Sequence, residues 1–235
     1  MIQRTNSCFT ASRTVSGALL LSIIIAIALV GSSIQPGLVP QRGETNGMEI
    51  REYDGKKLSS IRDFRENSIK GPVKVDIDAY RLIITGLVQN QRNITYSQII
   101  ESYAHEEKVL TLNCVEGWSV TLLWEGVSVK DLIRDSHPLP EAKAVIFHAI
   151  DGFTTSLPID YVLDKELMLA YEMNKVTIPV EAGFPFQLAA EGKWGYKWIK
   201  WVSKIELSDN VNYKGFWESR GYSNAGDINE PFFGE

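Results

Sequence analysis

The chain has 235 residues, 44% of them hydrophobic, with a formal net charge of −5 at pH 7. That length buries a full core, and the acidic balance gives no electrostatic reason to expect binding to nucleic acid or to an anionic lipid surface by charge alone. Glycine-rich phosphate loops, Gly-x-Ser-x-Gly elbows and His-Glu-x-x-His helices are absent from the sequence, which excludes the commonest nucleotide, serine-hydrolase and zinc-protease sites.

Residues 1–35 read as a targeting segment. Arg4 and Arg13 precede a run without charge up to Arg42, and residues 17–30 spell GALLLSIIIAIALV. A basic start followed by an apolar stretch of this length is an export signal or a single membrane anchor. With the arginines retained inside, the remainder is expected to face out of the cytoplasm, membrane-anchored or secreted. Residues 36–54 read as a linker, and residues 55–235 as one domain. Within that domain residues 80–88 form a strand that closes on a turn, and residues 95–103 a short amphipathic helix with Ser97 as its candidate cap. Residues 109–114 are a β-rich run ending in a cysteine, and alternation returns over 119–124. Ser128 caps a helix through Asp131, Leu132 and Ile133. Residues 144–150 suit a central strand turned back by Asp151-Gly152, and Pro158 opens a helix through Tyr161, Val162 and Leu163. Further strands are expected over 167–171, 184–189 and 198–207. Strands outnumber helices without βαβ alternation, so the class is α+β, mixed and strand-rich.

Two cysteines are present, Cys8 in the targeting segment and Cys114 in the body. An exported domain ordinarily pairs its cysteines, yet Cys114 has no partner within the domain. A lone thiol at a strand exit suits either a metal-binding or reactive role or a small buried hydrophobe. The three histidines, His105, His137 and His148, have no zinc-ligand spacing.

Three stretches carry a family likeness. LNCVEGWSVTLLWEGVSVKDLI (112–133), GFPFQLAAEGKWGYKWIKWVSKIEL (183–207) and GFWESRGYSNAGD (215–227) together resemble the molybdopterin-binding domain of the sulfite oxidase superfamily. The run after the cysteine, Val115-Glu116-Gly117-Trp118, is similar to the exported branch that acts on methionine sulfoxide. The resemblance implies a single domain of the sulfite oxidase-type fold and a molybdenum–molybdopterin cofactor, with tungsten also able to take the same ligands. It implies Cys114 as catalytic metal ligand, and Gly195, Tyr196 and Lys197 as holders of the cofactor phosphate with Lys200 close by. Asn67 and His148 are further cofactor-binding candidates, and Asp151 a candidate for the same pocket. Where sulfite-oxidising members carry a basic run after the cysteine, this chain has Val115-Glu116-Gly117-Trp118, and Glu116 would repel an anion. The implied activity is an oxo-transfer oxidoreductase working reductively on a small-molecule or sulfoxide-type substrate, with electrons from a membrane cytochrome. A second reading is a cofactor-free binding or scaffold module on the cell surface, favoured by Ala182 and Gln187 standing where the reductase branch carries Asn and Arg.

Overall fold

The computed structural model describes residues 48–234, which lie within one compact unit; the targeting segment 1–35 and Cys8 lie outside them. Among the described residues no helix is long and apolar enough to cross a membrane. A hairpin of β1 (Glu52–Tyr53) and β2 (Lys56–Lys57) opens this part of the chain, turning at Gly55, whose φ of 72° favours glycine. Glu49 ties this opening segment to the domain: its carboxylate accepts from the Ile61 amide at 2.8 Å and from Asn174 Nδ2 at 3.0 Å.

Two five-stranded sheets follow. The first contains β5 (His105–Asn113), β6 (Ser119–Ser128), β9 (Met168–Met173) and β10 (Val176–Thr177) in the order β10-β9-β6-β5, with β11 (Gln187–Ala189) also pairing β9. The second runs β4-β3-β12-β7-β8, from β3 (Arg81–Gly86), β4 (Arg92–Thr95), β7 (Ala144–Ala149), β8 (Thr154–Pro158) and β12 (Val202–Ser208). All pairings are antiparallel except β3 with β12. Helices are short: α1 (Tyr96–Ser102), α2 (Val129–Arg134) and α3 (Ile159–Asp164). The strand-rich, mixed class matches the expectation from sequence.

Both sheets feed one apolar core. Leu122, Trp124 and Leu169 of the first and Leu82, Phe147 and Ile205 of the second belong to one buried cluster. The Trp124 and Trp198 rings meet at 5.3 Å. β6 passes β9 with a register shift at Gly126, where a Cβ would stand 2.4 Å from the Leu169 carbonyl oxygen. Glycine is required there by close backbone approach rather than by a turn.

Local details depart from the sequence reading in three places. Thr95, not Ser97, caps α1: its side chain accepts from the Gln98 amide while the Gln98 side chain answers the Thr95 amide, a reciprocal capping box. The strand expected over 198–207 begins only at Val202, because residues 195–197 close a 3-10 turn and Trp201 has φ 51°. The Trp201 indole is buried and donates to the Val180 carbonyl at 2.8 Å, which holds the backbone in that conformation. Of the strand expected over 184–189 only Gln187–Ala189 pairs. Ser128 does cap α2, accepting from the Asp131 amide.

A candidate cofactor cavity at the end of β5

β5 delivers Cys114 to the edge of a cavity. The chain turns immediately after it: the Cys114 amide donates to Trp118 O at 2.9 Å and the Gly117 amide to Cys114 O at 3.1 Å. The thiol is buried, 6% exposed, with Asn67 Nδ2 at 3.5 Å from its sulfur and Glu116 Oε2 at 3.8 Å. Glu116 is itself fixed, accepting from the Trp118 indole at 3.0 Å. Burial pushes the Cys114 thiol above its ordinary pKa, and the Glu116 charge adds to that, while Lys200 opposes it. A cation or metal at the sulfur would reverse this balance and favour the thiolate.

The opposite wall comes from 195–201. Gly195 lies so close to β5 that a Cβ there would stand 3.1 Å from Asn113 O and 3.3 Å from the Cys114 Cα. Tyr196, Trp198 and Lys200 line the cavity behind it. The Lys200 side chain is only 10% exposed, and its Nζ makes no hydrogen bond. Its nearest charge is Glu66 Oε1 at 3.7 Å, and it stands 5.2 Å from the centre of the Phe64 ring. Burial drives the Lys200 ammonium below its ordinary pKa, with Glu66 opposing. Gly183, at φ 117°, is what lets the Lys200 backbone come this near, since a Cβ would meet Lys200 Cα at 3.1 Å.

Two more buried polar atoms of lining residues lack partners: Ser68 Oγ and Gln187 Oε1. Gln187 is fully buried and uses only its Nε2, donating to Trp198 O at 3.3 Å. Native interiors pair nearly all buried polar groups. An ammonium and a hydroxyl without hydrogen bonds, beside an unpaired amide oxygen, therefore mark a place for a polar ligand that carries both acceptors and donors.

The structure divides the residues expected from sequence. Cys114, Asn67, Gly195, Tyr196, Lys200 and Asp151 all line this cavity. Asp151 is buried, its Oδ1 accepting from the Phe153 amide at 2.9 Å. Lys197 and His148 are not among the lining residues, against the expectation that both bind the cofactor. Lys197 is fully buried elsewhere, its Nζ donating to Glu218 Oε1 at 2.6 Å and to Ser156 O at 3.0 Å. His148, on β7, pairs with Glu206 of the neighbouring β12, Nε2 to Oε2 2.9 Å. The sequence reading missed Phe64, Ser68, Phe153, Trp217 and Tyr222 as walls. Gln187 carried a signal, as a lone amide inside the apolar run Phe184-Pro185-Phe186…Leu188-Ala189-Ala190.

Among the described residues no group of three or more His, Cys, Asp and Glu is placed to hold a metal. A metal bound at Cys114 would thus take one protein thiolate and draw its remaining ligands from a cofactor. Residues 70–217 match the family model of the oxidoreductase molybdopterin binding domain. The chain belongs to that family. It is an oxidoreductase. It is 32% identical over 157 residues to an uncharacterised oxidoreductase, YuiH, of Bacillus subtilis, covering 66% of this chain and 78% of that one. It is 30% identical over 148 residues to the protein-methionine-sulfoxide reductase catalytic subunit MsrP of Gluconobacter oxydans, covering 56% of this chain and 47% of the relative. The fold is shared with the sulfane dehydrogenase SoxCD of Paracoccus pantotrophus at TM-score 0.59 and 19% identity, over 81% of this chain and 60% of that one. The cavity suits the family's cofactor: a thiol that could ligate a metal, a glycine wall that permits close approach, and a buried ammonium without a hydrogen bond for an anionic group.

Proposed function

We propose that this protein reduces a neutral sulfoxide-type substrate by oxygen-atom transfer, using a molybdenum or tungsten pterin cofactor seated in the Cys114 cavity, on the outer side of a membrane. The cofactor, when bound, supplies the centre that exchanges an oxygen atom and two electrons with substrate. Cys114 holds the metal through its sulfur. Asn67, Ser68, Gln187 and the backbone of Gly195 and Tyr196 orient the pterin, and Lys200 meets its phosphate.

The observation that carries the direction is the placement of Glu116. Its carboxylate is locked by the Trp118 indole beside the Cys114 sulfur, so an anion such as sulfite approaches against a fixed negative charge, whereas a sulfoxide carries none. Phe64, Trp118 and Phe153 give the mouth an apolar, sulfur-compatible surface. Reduction of each sulfoxide to a thioether and water consumes two electrons and two protons, and a membrane cytochrome is the proposed donor. The apolar run at 17–30 supports an anchored or exported location. The naming of relatives as methionine sulfoxide reductases supports the substrate class.

Ala182 and Gln187 favour a cofactor-free scaffold, but that reading leaves the Lys200 ammonium buried without a hydrogen bond, a desolvation cost that a bound anion would offset. The test is a comparison of two assays on the purified full-length protein. Oxidation of reduced benzyl viologen should be driven by methionine sulfoxide or dimethyl sulfoxide, with little ferricyanide reduction by sulfite. Dominant sulfite oxidation would reverse the direction assigned to the site.

A further inference from the structure

The two lysines of the segment Gly192-Lys193-Trp194-Gly195-Tyr196-Lys197 point away from the cavity and into the C-terminal strap, residues 215–234. Lys197 and Glu218 form an ion pair in which both side chains are fully buried. Thr155 Oγ1 donates to the same carboxylate oxygen at 2.5 Å. Lys193, also buried, reaches Asp227 Oδ1 at 2.5 Å. Backbone bonds reinforce the seam: Trp194 donates to Gly226 O at 2.8 Å and Ile228 to Gly192 O at 3.0 Å. Tyr196 Oη adds a bond to Ser223 O at 2.7 Å. The strap matters to the site because Trp217 and Tyr222, which flank Glu218, form part of the cavity wall.

We infer that Glu218 is a positioning residue: its buried pair with Lys197 clamps the Trp217–Tyr222 wall over the cavity, and Lys197 serves as the counter-charge of Glu218 rather than as a ligand of the cofactor phosphate. Three features carry this. First, two of the three N–H donors of the Lys197 ammonium are taken by Glu218 and Ser156 O, and Lys197 is not among the residues that line the cavity. Second, Gly226 packs on the Lys197 stem so tightly that a Cβ would lie 2.8 Å from its Cε, which fixes the direction of the side chain. Third, Lys200 supplies the cavity with the cation that Lys197 does not, and it has no hydrogen bond. A buried ion pair contributes little net stability over apolar residues of the same shape, but removing one partner strands the other. The pair is therefore suited to fixing the strap in one position.

The inference rests on the reading that the cavity holds a pterin, and the test separates the two. Full-length protein is prepared as wild type, E218Q, K197M and the double variant K197M/E218Q. Pterin content and amide hydrogen exchange over residues 216–223 are measured for each. Stranding one buried charge should speed exchange of the strap by roughly two orders of magnitude and cut retained pterin at least about tenfold. The double variant, with no charge left to strand, should recover both. A double variant that keeps the strap protected but loses pterin would show that Lys197 grips the cofactor itself and overturn the inference. So would E218Q with exchange unchanged from wild type, a result that stands even where the double variant does not accumulate. Wild-type protein without pterin would remove the cavity reading, while strap exchange in E218Q would still decide the clamp.

Discussion

Replacing Lys200 by methionine tests the cavity from the side of the protein's own stability. In the cofactor-free fold the Lys200 ammonium has no hydrogen bond and one ion pair at 3.7 Å with a partly exposed carboxylate. A buried polar group without a partner costs about 1–3 kcal/mol, and more when charged. Against that stand the Glu66 pair, about 0–1 kcal/mol, and the contacts with the Phe64 and Trp201 rings at 5.2 and 5.6 Å, together about 0.5–1 kcal/mol at these distances. Methionine keeps most of the volume without the charge, so K200M should stabilise the cofactor-free protein by about 1 kcal/mol. For a domain of this size that raises Tm by roughly 2–4 °C. The assay is urea unfolding of protein produced in cells unable to make the pterin, followed by pterin analysis of the same variant from competent cells. K200M should be more stable without cofactor and retain little of it. A variant that is destabilised by about 1 kcal/mol or more, or that retains full pterin, would refute the assignment of Lys200 as an unanswered cation awaiting an anion.

Other outcomes follow from neighbouring contacts. E116Q removes the negative charge at the thiol, so sulfite-dependent ferricyanide reduction should rise by up to about tenfold, since like charges at this range repel by about 1 kcal/mol at an exposed carboxylate; an unchanged rate would show that Glu116 does not select against anions. G195A pushes a methyl group against Asn113 O and the Cys114 backbone and should lower pterin content while leaving far-UV circular dichroism unchanged. G126A places a Cβ 2.4 Å from Leu169 O, and should cost about 3 kcal/mol in urea unfolding, since backbone rather than a flexible side chain must move. His148 has a depressed pKa in the folded state, chiefly from burial and then from Lys204. The folded state therefore binds its proton less readily than the unfolded chain. Stability from this group is full above about pH 6.5 and is lost as pH falls toward the depressed value. H148Q should flatten that part of the pH–stability curve, and an equally steep curve would assign the loss to other groups.

How much of this was legible in the sequence depended on whether the signal was local. Cys114 at a strand exit, the helix starts at 128 and 158, and the strand-rich content all follow from short-range pattern, because alternation and capping are written into neighbouring residues. The walls of the cavity were legible only in part. Lys197 and Lys200 are three residues apart in a basic, aromatic segment, and no periodicity distinguishes the one that faces the cavity. That is decided by the 3-10 turn at 195–197, by the left-handed Trp201, and by Glu218 arriving from a distant strap. His148 sits on a strand that leads toward Asp151, yet its side chain faces Glu206 across the sheet, as the period of two requires once the register of β7 on β12 is known. Ser68 announces itself only as an orphan hydroxyl, which needs coordinates to see.

In this reading Cys114 holds a metal carried by a pterin. The direct measurement is elemental analysis for molybdenum and tungsten, with the pterin assayed alongside, on wild-type protein and on C114S purified from native membranes. Wild-type protein should carry about one metal and one pterin per chain, and C114S should keep a normal fold with the metal lost. Wild-type protein with neither metal nor pterin, or a C114S variant that keeps its metal and full activity, would contradict it.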